Sequence, residues 1–263
     1  MSTAVRPQEI VAPPAWRRID FISDLHLAEN TPRGFAAWRE YLLHTSADAV
    51  FILGDLFEAW VGDDARHEGF EARSASVLTQ AAAQRSLAFM VGNRDFLLGP
   101  DMLAACGVLA LTDPTVLSAF GERVLLTHGD AWCIGDVDYQ QFRRQVRAPE
   151  WQAQVLARPL AERRALARNM RSESERKAAE HQGEWFDVDH ATALHWMREA
   201  DAATLVHGHT HRPATETLAP GFVRHVLSDW ELDHGPAPRA EVLRWQPRRW
   251  SRLAPADAIL PAN

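Results

Sequence analysis

The sequence has 263 residues, of which 46% are hydrophobic, enough for one large domain or for a core with an inserted segment. Its formal net charge of −7 at pH 7 argues against nucleic acid as a partner, because nucleic-acid-binding proteins usually carry a basic surplus. No stretch approaches the roughly 18 consecutive apolar residues that a membrane-spanning helix needs.

Short apolar runs rich in β-branched residues recur along the chain, and glycine or aspartate bounds them. This pattern is typical of buried β-strands. The runs occupy residues 19–22, 50–53, 87–91, 124–126 and 205–206. Phe35, Trp38 and Leu42 follow the first run at helical spacing, and the alanine-rich residues 72–84 predict a second helix. The alternation of strands and helices predicts an α/β fold built from βαβ units.

The strand signal almost disappears between residues 128 and 205. Apolar residues four positions apart lie on arginine-rich segments there, namely Phe142/Val146, Trp151/Val155 and Leu166/Met170. We therefore interpret residues 137–197 as a helical cap inserted into a core domain of residues 1–136 and 198–263. The apolar runs at 222–227 and 242–245 predict closing strands, which we expect to be antiparallel.

The charge is unevenly spread along the chain. Residues 143–177 hold ten Arg or Lys against four Glu, a local balance of +6 that leaves −13 for the remainder. A basic segment in an acidic protein suggests an anionic substrate or an anionic surface. Arginines on helices with apolar faces would suit acyl chains and phosphate, or the face of an anionic membrane.

Five short polar motifs follow the predicted strands. They are Asp24-Leu25-His26, Gly54-Asp55, Gly92-Asn93-Arg94-Asp95, His128-Gly129-Asp130 and Gly208-His209-Thr210-His211. Open α/β sheets bind their ligands at the carboxyl ends of strands, so the motifs are expected to meet there. One such motif usually marks a turn, but five in order predict a two-metal site because turns do not call for histidine.

Each donor has a role that a pair of cations about 3.5 to 4 Å apart would require. Asp55 is the predicted bridge, because its two carboxylate oxygens can each bind one metal. Asp24 and His26 lie two residues apart on an extended segment and point the same way. Asn93 supplies a neutral oxygen, which limits the negative charge that an anionic substrate meets. The remaining predicted ligands are His128, His209 and His211.

Asp130 is expected to orient His128 or its loop, as carboxylates behind metal ligands often do. The mixed oxygen and nitrogen donors, without a thiolate, suit two Mn²⁺ ions, with Fe or Zn as alternatives. A non-catalytic scaffold that lost its metals would be expected to lack ligands, and none of the seven is missing here.

The five motifs resemble those of the calcineurin-type metallophosphoesterase superfamily, and the resemblance extends from Phe21 to His211. Longer strings resemble the UDP-2,3-diacylglucosamine diphosphatases of lipid A biosynthesis, namely residues 23–27, 54–64, 92–96 and 207–213. The resemblance implies an αββα fold, a β-sandwich core flanked by helices. It also implies hydrolysis at the α-phosphorus of this lipid-linked nucleotide sugar, giving UMP and 2,3-diacylglucosamine 1-phosphate, with Mn²⁺ as cofactor.

The same resemblance distributes the ligands and implies substrate contacts. It puts Asp24, His26, Asp55 and His211 on one metal, and Asp55, Asn93, His128 and His209 on the other. It implies that substrate is bound by Asn93, Arg94, Asp136, Ser174 and His209. Where the family usually has Asn and Lys, this chain has Ala178 and His181, and Lys177 or Arg176 is an alternative to His181.

Arg94 departs from the wider superfamily, whose phosphomonoesterases commonly have histidine after the asparagine, suited to protonating a leaving alkoxide. A pyrophosphate instead releases a phosphate monoester, whose second pKa of about 6 makes a proton unnecessary. A permanently charged, bidentate arginine then serves better than an acid. Arg94 therefore indicates anhydride cleavage; the alternative is a surface arginine paired with Asp95.

Cys106 and Cys133 fit neither a metal-binding nor a disulfide spacing, and residues 1–15 contain no apolar signal core. Together with the resemblance, this predicts the cytoplasmic face of the bacterial inner membrane, with peripheral membrane contact and no obligate protein partner. Two alternatives share the fold: a nucleotide-sugar or dinucleotide pyrophosphatase, and a protein phosphatase.

Overall fold

A computed structural model describes residues 7–180 and 186–259, without the side chains of residues 174, 175 and 177–180. In this part of the chain two six-stranded sheets pack against each other. The first sheet has the order β1 (Gln8–Val11), β6 (Thr115–Ala119), β7 (Glu122–Thr127), β8 (Thr204–His207), β10 (Phe222–Val226) and β9 (Ala214–Ala219). The second has the order β12 (Arg249–Leu253), β11 (Val242–Gln246), β2 (Ile19–Ile22), β3 (Ala49–Leu53), β4 (Ser86–Met90) and β5 (Leu109–Leu111).

The described helices are α1 (Pro32–His44), α2 (Gly69–Ala82), α3 (Pro100–Cys106), α4 (Val137–Val146), α5 (Pro149–Leu156), α6 (Leu160–Glu180), α7 (His190–Glu199) and α8 (Pro255–Ile259). Proline begins α1, α3 and α5, where its fixed φ suits the first turn and its missing N–H costs nothing. Asp136 and Asp189 cap α4 and α7 by accepting backbone N–H groups at 3.0 and 2.7 Å.

Alternating strand residues separate three apolar layers. Phe21 and Phe51 face the other sheet and pack in the layer between the sheets, while Ile22 and Ile52 face outward. The outward residues of the second sheet pack against α1, α2, α3 and α8. The outer face of the first sheet is covered by α7, largely through Ala193 and Met197. These layers confirm the αββα arrangement.

The predicted strands at the five motifs are present as β2, β3, β4, β7 and β8, and both predicted helices are present as α1 and α2. The predicted direction of the strand at 222–227 is wrong in one respect: β10 pairs parallel with β8 and antiparallel with β9. It follows β9 through a hairpin, so its direction is set by that neighbour. The run at 242–245 is antiparallel to its neighbours, as expected.

Helices α4, α5 and α6 form what we call the helical region, residues 137–180. The following helix, α7, packs against β8 and β9 of the core. That the insertion extends over residues 137–197 stays a prediction. No helix within residues 7–180 and 186–259 is long and apolar enough to cross a membrane.

Candidate metal centre

Each motif begins where a strand ends, and the loops after the strands are joined to one another. The candidate ligands are Asp24 and His26 after β2, Asp55 after β3, Asn93 after β4, His128 after β7, and His209 and His211 after β8. The His26 N–H donates to the Asp55 carbonyl at 3.0 Å, and the Gly208 N–H donates to the His128 carbonyl at 3.1 Å. These backbone bonds hold loops of neighbouring strands side by side, so that the seven side chains converge.

Asp24, His26 and His211 form the first cluster. Their donor atoms lie within 4.8 Å of one another. The Nε2 atoms of His26 and His211 are 3.2 Å apart, and His211 Nε2 is 3.4 Å from Asp24 Oδ1. That Asp24 oxygen is buried and accepts no hydrogen bond from the described residues. Because an unpaired buried carboxylate oxygen is unfavourable, its position fits the binding of a cation.

Asp55, His128, Asn93 and His209 form the second cluster. His128 Nε2 lies 3.8 Å from Asp55 Oδ2. Asn93 Oδ1 lies 2.9 Å from that nitrogen and 2.8 Å from His209 Nδ1. Asp24, Asp55 and His128 also have donor atoms within 4.8 Å of one another, so the two clusters adjoin. The structure thus brings together all seven candidate ligands.

The backbone at these positions adopts a conformation that side chains usually avoid. Eight non-glycine residues in the described part of the chain have a positive φ, and five of them are candidate ligands. The five are Asp24, His26, Asp55, His209 and His211. Such conformations cost of order 1–3 kcal/mol each and are concentrated at functional sites. Gly92 permits the close approach, because a Cβ there would lie 2.1 Å from Asp55 Oδ1.

The second ring nitrogen of three imidazoles faces an acceptor. His128 Nδ1 lies 2.8 Å from the Leu53 carbonyl oxygen. His26 Nδ1 is 3.3 Å from Glu58 Oε2, and His211 Nδ1 is 3.7 Å from Asp229 Oδ2. A proton on each Nδ1 leaves the lone pair of Nε2 facing the clusters, as is typical of metal-binding histidines.

The pKa values indicate a strongly negative site. Burial works against protonation of His128, yet the carboxylates of Asp55 and Asp24 raise its pKa to about 9. Burial also works against ionisation of Asp24, but His211 and His128 hold its pKa below the ordinary value. Burial, and then His128, lower the pKa of His209 to about 3, which keeps this imidazole neutral. Two buried carboxylates that raise the pKa of a neighbouring imidazole fit the binding of cations.

Arg94 lies at the edge of the clusters. Its backbone N–H donates to Asp55 Oδ1 at 2.8 Å, and its Nη1 is 3.4 Å from Glu58 Oε1. The alternative pairing of Arg94 with Asp95 is wrong. Asp95 is fully buried and accepts backbone N–H groups instead, from Gly92 at 2.7 Å and Leu56 at 2.9 Å.

Asp95 therefore connects the loop after β4 with the loop after β3. Sequence reasoning missed this role, although the aspartate two residues after Asn93 is part of the motif. It also missed Glu58 and Asp229, which stand behind His26 and His211. Glu58 follows Asp55 by three residues, and that spacing was the available signal. Asp229 lies after β10, 18 residues along the sequence from His211, the nearest predicted ligand.

The remaining predicted substrate contacts are Asp136 and the residues near the end of α6. The carboxylate of Asp136 caps α4, as described above. The side chains of Ser174 and Lys177 and the whole of His181 lie outside the described residues. Arg176 lies 3.6 Å from Glu173 on the same helix.

Asp130 does not hydrogen-bond to His128 among the described contacts; its carboxylate attaches α4. Its Oδ2 accepts from the Tyr139 hydroxyl at 2.6 Å and from Arg143 Nε at 2.7 Å. The basic segment proves to be paired with the core at several other points. Arg147 donates a hydrogen bond to the Gly92 carbonyl. Ion pairs join Arg163 to Asp64, Arg164 to Glu68 and Glu71, and Arg171 to Glu58. Among the described residues, these arginines together with Arg143 attach the helical region to the core.

The sequence profile of the calcineurin-like phosphoesterases matches residues 17–213. A UDP-2,3-diacylglucosamine hydrolase from Chromobacterium violaceum is 46% identical over 82% of this chain and 92% of its own length. The corresponding proteins from Chromohalobacter salexigens and Bordetella pertussis are 39% and 43% identical, over 90% and 82% of this chain and 93% and 87% of theirs. The chain belongs to the calcineurin-like phosphoesterases and, among them, to the family of UDP-2,3-diacylglucosamine hydrolases.

Proposed function

We propose that this chain hydrolyses the pyrophosphate bond of UDP-2,3-diacylglucosamine in lipid A biosynthesis and releases UMP and 2,3-diacylglucosamine 1-phosphate. One observation carries the proposal. Seven donor side chains from five strand ends converge beside Arg94, in a chain 39–46% identical to relatives named for this substrate. The convergence of the seven donors supports metal-dependent hydrolysis, and the names of the relatives support the identity of the substrate.

The donor sets fit two cations that share Asp55. One would be held by Asp24, His26, Asp55 and His211, and the other by Asp55, Asn93, His128 and His209. We infer Mn²⁺, with Fe and Zn as alternatives, because every donor is oxygen or nitrogen and neither cysteine belongs to the donor sets. When bound, such a pair supplies a nucleophile from water at neutral pH and neutralises the phosphoryl oxygens.

Arg94 and Asn93 act on the substrate's phosphates in this proposal. The Arg94 side chain pairs with Glu58 at the edge of the clusters and is 29% exposed, so that a diphosphate can reach it there. Its charge stabilises the leaving phosphate monoester, which needs no proton at neutral pH. His209 stays neutral and is available as a ligand or as a substrate contact. Asp136 and, outside the described side chains, Ser174 and His181 complete the proposed substrate contacts.

The helical region is the proposed acyl-chain and membrane contact. Val137, Phe142 and Leu156 are 59%, 39% and 42% exposed, an arrangement that large apolar residues of a helix usually avoid. Arg144 of α4 and Arg168 of α6 are exposed as well. Exposed apolar side chains and exposed arginines in one helical region suit a surface that rests on an anionic leaflet. We infer peripheral attachment at the cytoplasmic face of the inner membrane. A vesicle sedimentation assay tests it: the protein should sediment with anionic vesicles and stay in the supernatant with neutral ones.

Mass spectrometry of products formed in ¹⁸O-water tests the reaction and its regiochemistry together. The purified protein is given Mn²⁺ and UDP-2,3-diacylglucosamine, and we expect UMP that carries the label. Label found only in the sugar phosphate would contradict attack at the α-phosphorus. UDP-N-acetylglucosamine and p-nitrophenyl phosphate serve as comparison substrates, and faster turnover of either would favour a general nucleotide-sugar pyrophosphatase or a phosphatase. Metal analysis after loading with Mn²⁺, Fe²⁺ or Zn²⁺ tests the cofactor.

A further inference from the structure

Glu58 is held beside His26 by the backbone. It lies three residues after Asp55, in a segment that pairs with the loop after β2. The Leu27 N–H donates to the Leu56 carbonyl at 2.9 Å, and the Glu58 N–H donates to the Leu27 carbonyl at 3.1 Å. This strand-like pairing fixes the backbone from which the Glu58 side chain extends towards His26.

The Glu58 carboxylate is close to three cationic or potentially cationic groups, each from a different part of the chain. Oε2 lies 3.3 Å from His26 Nδ1. Oε1 lies 3.4 Å from Arg94 Nη1 and 3.2 Å from Arg171 Nη1. The side chain is only 13% exposed, whereas those of Arg94 and Arg171 are 29% and 43% exposed. One buried carboxylate thus connects a candidate metal ligand, a candidate phosphate clamp and helix α6.

Each contact has a separate physical consequence. An acceptor at Nδ1 fixes the ring orientation of His26 and makes Nε2 a better metal ligand. The carboxylate between two guanidinium groups reduces their mutual repulsion and limits their rotation. Arginines that are already ordered lose less entropy when they bind a phosphate.

We propose that Glu58 is a positioning residue that orients His26 for metal binding and holds Arg94 and Arg171 in place for the diphosphate. This role rests on the proposed function for its substrate, but its metal-binding part does not depend on turnover. Glu58 itself touches neither the substrate nor the reacting atoms in this scheme.

Mn²⁺ titration of the metal-free protein by calorimetry tests the His26 contact. We expect Glu58→Ala to weaken Mn²⁺ binding about 10- to 100-fold, the usual effect of losing a carboxylate behind a metal-binding histidine. Glu58→Gln keeps a side-chain oxygen beside His26 Nδ1, so we expect its affinity to stay within about threefold of the unmodified protein. Glu71→Gln is the matched control, because Glu71 is 19% exposed and pairs with Arg164 of α6 but contacts no candidate ligand.

Steady-state kinetics at saturating Mn²⁺ test the arginine contacts. We expect Glu58→Gln to raise KM for UDP-2,3-diacylglucosamine about three- to tenfold, with kcat changed less than about twofold, because the two arginines must now be ordered by the substrate. In an Arg171→Ala background the same substitution should change KM much less, since one of its partners is already gone. Glu71→Gln should leave KM and kcat unchanged.

Two results would overturn the role of Glu58. One is Mn²⁺ binding by Glu58→Ala that equals that of Glu71→Gln. The other is a KM for Glu58→Gln that is unchanged, or changed equally with and without Arg171. If Glu58→Ala does not fold, as judged by circular dichroism, the glutamine variant and the KM comparison decide. A folded, metal-loaded but inactive unmodified protein would contradict the proposed function, and the Mn²⁺ titration would still decide the role of Glu58.

Discussion

The metal centre and the helical region use charge in opposite ways. In the centre, Asp24, Asp55 and His128 are almost fully buried and face one another within a few ångströms. In the helical region, the charged groups reach outward from the helices to acidic partners on the core, and several of those partners are exposed. An arginine-rich segment beside an active site can therefore attach its helices to the core as well as bind an anionic ligand.

The largest effect expected from any change in the centre is loss of turnover in His128→Ala. This substitution removes a donor that lies 2.9 Å from Asn93 Oδ1 and 3.8 Å from Asp55 Oδ2. Losing several kcal/mol of transition-state stabilisation corresponds to a fall of about 10³-fold in kcat or more. UMP release measures it. His44→Ala, on the exposed end of α1, is the control, and turnover by His128→Ala near that of the control would break the assignment of the centre.

Asp95→Ala tests whether the centre depends on the buried carboxylate that joins two of its loops. The substitution leaves the backbone N–H groups of Gly92 and Leu56 without their acceptor. An unsatisfied buried donor costs about 1–3 kcal/mol, so we expect about 3 kcal/mol less unfolding free energy, measured in urea. Because the loops of Asp55 and Asn93 lose their connection, turnover should fall as well. Unchanged stability would show that the two loops are held by other contacts.

The centre could be predicted from the sequence because its signal is local. Each motif follows an apolar run directly, so the strand end and the donor are read together, and all seven donors of the prediction converge in the structure. The connection between the loops through Asp95 was harder to predict, because nothing in the sequence indicates that Asp95 accepts backbone N–H groups rather than pairing with Arg94.

The helical region was predicted less completely because its contacts are distant in sequence. The partners Asp64 and Arg163 are separated by 99 residues, and Glu58 and Arg171 are similarly remote. Composition shows that arginines are plentiful in this segment but not which of them find a carboxylate. The edge strands β1, β5, β9 and β12 were missed for a related reason: they are short or half-exposed, and pairing within the sheets stabilises them. The buried strand β6 was missed as well.

His225 is a buried histidine of the core, whereas the helical region, residues 137–180, contains no histidine. Burial, and then Arg252, lower the pKa of His225 to about 4. Between about pH 6.5 and 4 the unfolded chain therefore binds a proton that the folded chain does not, and stability falls as the pH falls. We expect a loss of about 2–3 kcal/mol between pH 7 and 4.5 from this residue. His225→Gln should flatten that part of the pH dependence, and an equal slope in both proteins would contradict it.

Arg163→Ala should loosen the helical region while leaving the centre intact. The Arg163 side chain is 4% exposed and donates to the Asp64 carboxylate at 2.8 Å and to the carbonyls of Val61 and Arg158 at 2.5 and 2.9 Å. Loss of these buried hydrogen bonds should destabilise the start of α6 by about 2 kcal/mol. Faster hydrogen exchange in α6, with unchanged Mn²⁺ binding, is the expected result. A fall in Mn²⁺ affinity would mean that the two regions are not separable.

Arg164→Ala should have the smallest effect, although Arg164 is adjacent to Arg163 and has two acidic partners. Its nitrogens lie 3.1 Å from Glu68 and 3.3 Å from Glu71, but its side chain is 35% exposed and that of Glu68 is 60% exposed. Exposed ion pairs contribute about 0–1 kcal/mol and weaken further as salt screens them. We therefore expect hydrogen exchange in α6 close to that of the unmodified protein. An effect as large as that of Arg163→Ala would show that the number of ion pairs, rather than their burial, attaches the helical region to the core.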